Sequence, residues 1–273
     1  VHKATDTQIV GLCHGVKHGE RELADLLGVE PERCRFTAVG MNHLAFFTEF
    51  TVDGEDAWPQ VREKLESAAP VRGETLRREL FLKCGAYSVL HDRHLAEFFP
   101  QFHRGGSHPD GKLGVDLFSF EDCIAGGDRG YAAMADQAVG RVPLDESVLQ
   151  RQVGEHEQLV AIFRSLESAA PGRYSVILPN AGQIANLPEG FAVECPALIS
   201  SNGIVPEPVG ELPPFVRAVV EKALLTVELA VDAALEQDRE MLLQALIADG
   251  AMSSMADAVA LADELWQANT PDV

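Results

Sequence analysis

Between residues 36 and 54 the sequence leaves the backbone little choice. Phe36-Thr-Ala-Val39 and Leu44-Ala-Phe-Phe-Thr-Glu-Phe-Thr-Val52 both read as strands, and Asp53-Gly54 closes the second run with a strong turn signal. Gly40-Met41-Asn42-His43 lies between them, so His43 is expected at a strand end, where the chain turns over. Thirty residues earlier stands Cys13, just after a short apolar run over 8–12 that reads as another strand. A thiolate and a neutral imidazole are both good ligands for a borderline divalent metal, and two protein ligands leave most of the coordination sphere open to water or substrate. Spacing alone does not separate this role from the ordinary one of cysteine, a small buried hydrophobe.

With 273 residues and 46% hydrophobic content, the chain can bury a large core. Its net charge of −20 argues against nucleic acid and anionic membranes as partners, since like charges repel. A small anionic substrate is not excluded, because it responds to local positive charge. The five cysteines (Cys13, Cys34, Cys84, Cys123, Cys195) are odd in number, scattered and without a CxxC pair, which fits reduced thiols in a cytoplasm better than a disulfide framework. No apolar run approaches a membrane span, and Val1-His2-Lys3-Ala4 lacks the core of a signal peptide.

Along the chain, Leu23, Leu26 and Leu27 recur at helical spacing before Gly28, and further helices are expected over 58–69 and over 75–84, the latter stopping at Gly85. Five ionisable side chains then fall within seven positions: His91, Asp92, Arg93, His94 and Glu97. Asp92 before a helix would cap it through backbone amides, and His94 and Glu97 would share a face. The residues alone describe equally well a capped, solvated helix start. Residues 105–130 are glycine-rich but match no phosphate loop, and read as surface loops lining a cleft. A helix over 144–168 and a strand over 174–178 follow. In the next stretch Asn and Gln beside glycine are, by chemistry, turn formers. The Pro206/Pro208 break is followed by one long amphipathic helix over 215–247 and a terminal helix over 254–268. No repeat or linker divides the chain, so residues 1–273 read as one domain.

Gly11-Leu12-Cys13-His14-Gly15 followed by Gly40-Met41-Asn42-His43 resembles glycoside hydrolase family 4, the NAD- and metal-dependent glycosidases. Asn180-Ala181-Gly182-Gln183-Ile184-Ala185-Asn186-Leu187-Pro188 resembles a second stretch of that family, although many members carry Arg where Ala181 stands. Cys13-His14-Gly15 and Asp92-Arg93-His94-Leu95-Ala96-Glu97-Phe98 look most like the branch acting on α-linked uronic acids, the α-galacturonidases and α-glucuronidases. The resemblance implies an α+β fold of the lactate/malate-dehydrogenase-like C-terminal type, with a mixed or antiparallel sheet packed by long helices, assembled as a dimer or tetramer. It implies that Cys13 and His43 hold a divalent metal, commonly Mn2+, and that Asn42, Arg93 and His14 face a carbohydrate substrate. The catalytic base is left open: many members use a tyrosine and some an aspartate, which makes Asp92 the first candidate, with Tyr87 and His94 behind it.

The family's full-length enzymes begin with a Rossmann domain whose glycine-rich loop binds NAD. No such loop precedes Cys13, so the resemblance covers the C-terminal part alone, the N-terminal Rossmann domain is absent from this chain, and the chain by itself is expected to be inactive. For the full-length protein the resemblance implies oxidation at C3 of the sugar by NAD, removal of the acidified C2 proton, elimination of the leaving group, addition of water and return of the hydride. Two other readings remain. One is a non-catalytic family domain that serves oligomer contacts. The other is a 2-hydroxy-acid dehydrogenase C-terminal domain, which needs no Cys13/His43 pair.

Overall fold

The computed structural model describes residues 3–69, 71, 73–102, 120–146 and 157–269. Residues 8–12 are extended but form no strand of their own, contributing one bridge in which Gly11 and Ile177 exchange main-chain hydrogen bonds. Helix α1 (Gly15–Leu27) follows and ends where expected, with Gly28 in the left-handed conformation. Strands β1 (Cys34–Met41) and β2 (Leu44–Val52) pair antiparallel from Cys34↔Val52 to Met41↔Leu44, with one bulge at Thr37/Ala38. Asp53 and Gly54, at φ 51° and 86°, turn the chain into the short β3 (Glu55–Asp56).

Helices α2 (Trp58–Ser67) and α3 (Thr75–Cys84) agree with the sequence reading, and Gly85 caps α3 in the left-handed region. Then come β4 (Tyr87–Ser88), which pairs with β2, and α4 (Asp92–Phe98). The rest comprises α5 (Phe120–Ala138), α6 (Glu157–Leu166), β5 (Gly172–Pro179), β6 (Ala192–Ser200), β7 (Gly203–Pro206), α7 (Pro214–Glu236), α8 (Arg239–Asp249) and α9 (Met255–Asn269). The sheet runs β3-β2-β1-β6-β5, with β4 on β2 and β7 on β6, and every strand pairing among the described residues is antiparallel. The fold is therefore α+β around an antiparallel sheet.

Alternation along the strands sends side chains to two cores. One face carries Val39, Phe46, Val193 and Cys195 beneath Val216, Val220 and Leu224 of α7 and Leu76, Leu80 and Leu95 of α3 and α4. The other carries Phe36, Ala38, Phe47 and Phe50 beneath Val16 and Leu23 of α1 and Val61 of α2. Each fully buried phenylalanine contributes about 1.5–3 kcal/mol of burial, enough to hold the β1–β2 pair in a single register.

Three expectations are corrected. Residues 103–119 of the glycine-rich stretch lie outside the described residues, but Gly126, Gly127 and Gly130 belong to α5 rather than to a loop. A helical glycine costs only about 1 kcal/mol, and the alanines, acids, Met134 and Gln137 around these are adequate helix formers. Of the helix read over 144–168, residues 144 and 145 are irregular, residues 147–156 lie outside the described set, and α6 ends at Leu166. The single helix read over 215–247 is two. Gln237 adopts a left-handed conformation, and Asp238 caps α8 by accepting the Met241 amide at 3.1 Å. Lys222 of α7 then reaches the Asp249 carbonyl at the far end of α8, at 2.7 Å, so the two helices run antiparallel.

Candidate functional site

The β1–β2 turn is built to hold His43 in an uncommon shape. It spans two residues between the paired Met41 and Leu44, and His43 sits at φ 66°, a region that favours glycine or asparagine. Gly40 makes the turn possible: at φ 151°, a Cβ there would fall on the Leu44 carbonyl oxygen and 2.8 Å from the Ala45 Cα. Asn42 at the turn is exposed and His43 half-buried.

Two segments close around this turn. Val89 donates to the Ala45 carbonyl at 2.9 Å, which carries 86–90 along β2 and delivers α4 beside the turn. The His94 ring lies 4.5 Å from that of His43, centroid to centroid, and its Nδ1 is 3.3 Å from Glu97 Oε1. Ligand atoms of His43, His94 and Glu97 all lie within 4.8 Å of one another. The second segment is the N-terminal half of α1, which packs closely on Val89 and Leu90 because Gly15 and Gly19 lack side chains. A Cβ on Gly15 would meet Leu90 at 2.8 Å, and one on Gly19 the Val89 carbonyl at 2.8 Å. Cys13 Sγ accepts the Gly15 amide at 3.4 Å, and its carbonyl takes the Gln158 side-chain amide at 3.4 Å. His14, exposed at the N-cap of α1, is near enough to His43 to act on its charge.

These surroundings set the protonation of His43. Partial burial pushes its pKa down, and the His94 and His14 rings push the same way against Glu97. The neutral imidazole, the form that ligates a metal, is thereby favoured at neutral pH.

The three candidate bases have separate fates. Asp92 is fully buried, and its two oxygens accept the Leu76 and Arg77 amides, each at 2.8 Å. It caps a helix, as expected, but the helix is α3 rather than the one it begins, each oxygen accepting one buried amide. Tyr87 is 4% exposed in the core with Phe47, Trp58 and Phe81, under the Arg77 guanidinium; burial, more than the charges of Glu22 and Glu74, pushes its pKa up to about 12, despite Arg77. His94 alone of the three stands beside His43, half-buried with Glu97 as partner. Arg93 is exposed on α4, one residue before it.

The second quoted stretch builds a loop. Asn180 is 2% exposed, its Nδ2 facing the carbonyls of Ile184, Leu187 and Pro188 at 2.9–3.1 Å and its Oδ1 taking the Ile184 amide. Gln183 binds main chain at Pro179 and Ala181, and Asn186 binds both main-chain groups of Leu212. The fold also assembles a cluster away from the His43 turn. Glu22 joins His18, His91 and Arg77 across α1, α3 and the start of α4. Only the His18/Glu22 spacing of four was legible; His91 lies 69 residues from Glu22 and meets it through the fold.

The architecture defines the class: an antiparallel α+β domain in which two imidazoles and a carboxylate gather beside one strand turn. More particularly, residues 38–252 match the family 4 glycosyl hydrolase C-terminal domain, and the chain belongs to that family. The match sets aside the dehydrogenase reading. An alpha-galactosidase of Bacillus subtilis is 26% identical over 271 residues, 97% of this chain and 61% of that protein. An alpha-galacturonidase of the same organism is 28% identical over 267 residues, 88% of this chain and 57% of that protein. A 6-phospho-alpha-glucosidase from gut microorganisms, solved with NAD and Mn2+, shares the fold with a TM-score of 0.77 at 19% identity, over 97% of this chain and 62% of that one. The chain thus spans about three fifths of the length of such relatives.

Proposed function

We propose that this chain is the metal- and sugar-binding part of a family 4 glycosidase that cleaves α-linked uronic-acid glycosides. The observation that carries the reading is the turn holding His43 in a left-handed conformation beside His94 and Glu97, with His14 near enough to act on the charge of His43. Imidazole, carboxylate and the Cys13 thiolate suit Mn2+ or a similar divalent ion, which when bound would supply Lewis-acid polarisation of a sugar carbonyl. Cys13 and His43 would hold the ion. Asn42 and His14 would face the sugar hydroxyls.

NAD is carried over from the solved relatives to the whole protein, not to these residues. No two glycines in the sequence stand two apart, so the chain offers no Gly-x-Gly turn for a pyrophosphate. The steps assigned to this chain are proton transfer and substrate holding. With the ring proton on Nδ1, toward Glu97 at 3.3 Å, His94 would offer Nε2 as the proton acceptor, the role first given to Asp92. Arg93, adjacent on α4, would pair its planar fork with a uronate carboxylate. The exposed apolar residues Leu225, Val227, Val231 and Leu235 on α7 support a homo-oligomer. The absence of a helix long and apolar enough to cross a membrane among the described residues is consistent with a cytoplasmic enzyme.

A second reading, favoured by the mutual approach of their ligand atoms, makes His94 and Glu97 ligands of the same ion. Kinetics of the protein joined to its dinucleotide domain, with Mn2+, NAD and reductant, test both. An aryl α-galacturonide should be hydrolysed faster than the α-galactoside or the 6-phospho-α-glucoside; the opposite order refutes the uronide assignment. His94→Gln should lower kcat while Mn2+ affinity holds. A matching loss of Mn2+ affinity makes His94 a ligand instead.

A further inference from the structure

A second group of donors lies one and two turns along α1 from His14. His18 and Glu22, four apart, share one helical face, and His91, at the N-cap of α4, meets them from across the gap. Glu22 Oε1 is 3.2 Å from His18 Nε2 and 2.7 Å from His91 Nε2, and all the ligand atoms fall within 4.8 Å. Donors around an ion about 2.1 Å from each stand roughly 3.0–3.4 Å apart, so small side-chain shifts would admit one. The other Glu22 oxygen takes Arg77 at 2.8 Å, which holds the carboxylate in place. Arg77 also pairs with Glu74 at 2.7 Å, so its charge is shared between two carboxylates and does not cancel that of Glu22. The His18 side chain is 58% exposed, which leaves the remaining coordination positions open to water.

We propose that His18, Glu22 and His91 form a second divalent-metal site, separate from the His43 turn, of the two-imidazole, one-carboxylate type that takes Zn2+, Co2+ or Ni2+. Two imidazoles and one carboxylate favour these ions over Mg2+ or Ca2+, which prefer all-oxygen shells. The site ties α1 to the segment that carries His94. Occupancy would thus brace the approach of α1 to α4 without a metal ligand in common with the first site.

Titration calorimetry of the reduced, chelator-stripped chain with zinc chloride at neutral pH tests this. A Cys84→Ser, Cys123→Ser background removes exposed thiols from competition. The expected result is a binding event that persists in His43→Asn, disappears in His91→Gln and weakens at least about tenfold in His18→Gln, since even outer-shell losses cost 10–100-fold. His18→Gln leaves the Arg77–Glu22–His91 contacts whole, so its effect cannot be ascribed to unfolding. Zinc binding in both His18→Gln and His91→Gln that equals the parent in stoichiometry and affinity overturns the proposal, as does a parent whose only zinc is lost in His43→Asn.

Discussion

Replacing Glu194 by glutamine should stabilise the protein at alkaline pH and change it little in acid. Glu194 is 2% exposed on β6, between Ile177 of β5 and Gly40 of β1, with the Ser175 hydroxyl 3.5 Å away. Burial, only partly offset by Ser175, pushes its carboxyl up from 4.5 to about 7. In the unfolded chain the proton leaves near 4.5; in the folded protein it stays until about 7. Over that window the unfolded state releases the proton first, so stability falls as pH rises, and above 7 the full penalty is present. A gap of that size is worth about 3 kcal/mol. Glutamine keeps the shape and a hydrogen-bonding end without a charge to desolvate. Urea unfolding of both proteins at pH 5 and pH 8.5 isolates the effect, because other titrating groups cancel in the difference. The variant should gain about 2–3 kcal/mol on the parent between the two pH values. A difference that stays constant would refute the reasoning and mean that Glu194 is charged in the fold.

Asp92→Ala should cost about 2–4 kcal/mol, because it strands two buried amides at the α3 N-terminus; a melting curve near the parent's would show that water replaces the carboxylate. Arg77→Met should cost about 3–5 kcal/mol at neutral pH by leaving Glu22 and Glu74 without their guanidinium, measured by urea unfolding. The contacts of Glu22 with His91 and Arg77 hold its pKa down at about 2 against the effect of burial, so its stabilisation is present above 4.5 and lost as pH falls from 4.5 toward 2. Glu22→Gln should flatten that part of the acid-unfolding profile. Gly40→Ala should prevent normal folding, visible as loss of soluble protein, since its Cβ has nowhere to go but the β2 main chain.

Local chemistry was enough to read the elements. Apolar runs around Gly40-Met41-Asn42-His43 predict the β1–β2 pair, Asp53-Gly54 the turn that ends β2, and Gly28 and Gly85 the ends of α1 and α3. These depend on the nearest few residues and on alternation, both visible in one dimension. The same locality misled at residues 215–247, where the apolar period runs on through Gln237 and Asp238. Asp238 is a good N-cap residue, but the unbroken apolar period on either side masks it, and a non-glycine left-handed residue such as Gln237 has almost no signature in sequence. Likewise Gly126, Gly127 and Gly130 signalled a loop, and the helix-forming residues around them prevailed.

For the site, the sequence by itself determined the inventory: Cys13 and His14 before a helix, His43 at a strand turn, and a dense charged run over 91–97. Only the tertiary structure assigned the parts, because burial and long-range hydrogen bonds decide what a side chain is free to do. Asp92 and His94 are two residues apart in the same helix, yet one is sealed against α3 amides and the other faces His43. Glu22 meets His91 across 69 residues, and Glu194 holds its proton to about pH 7 because it is buried on β6 between β1 and β5. A helix presents successive side chains about 100° apart, so neighbours in sequence face different surroundings, and the fold alone determines which of those is core and which is cleft.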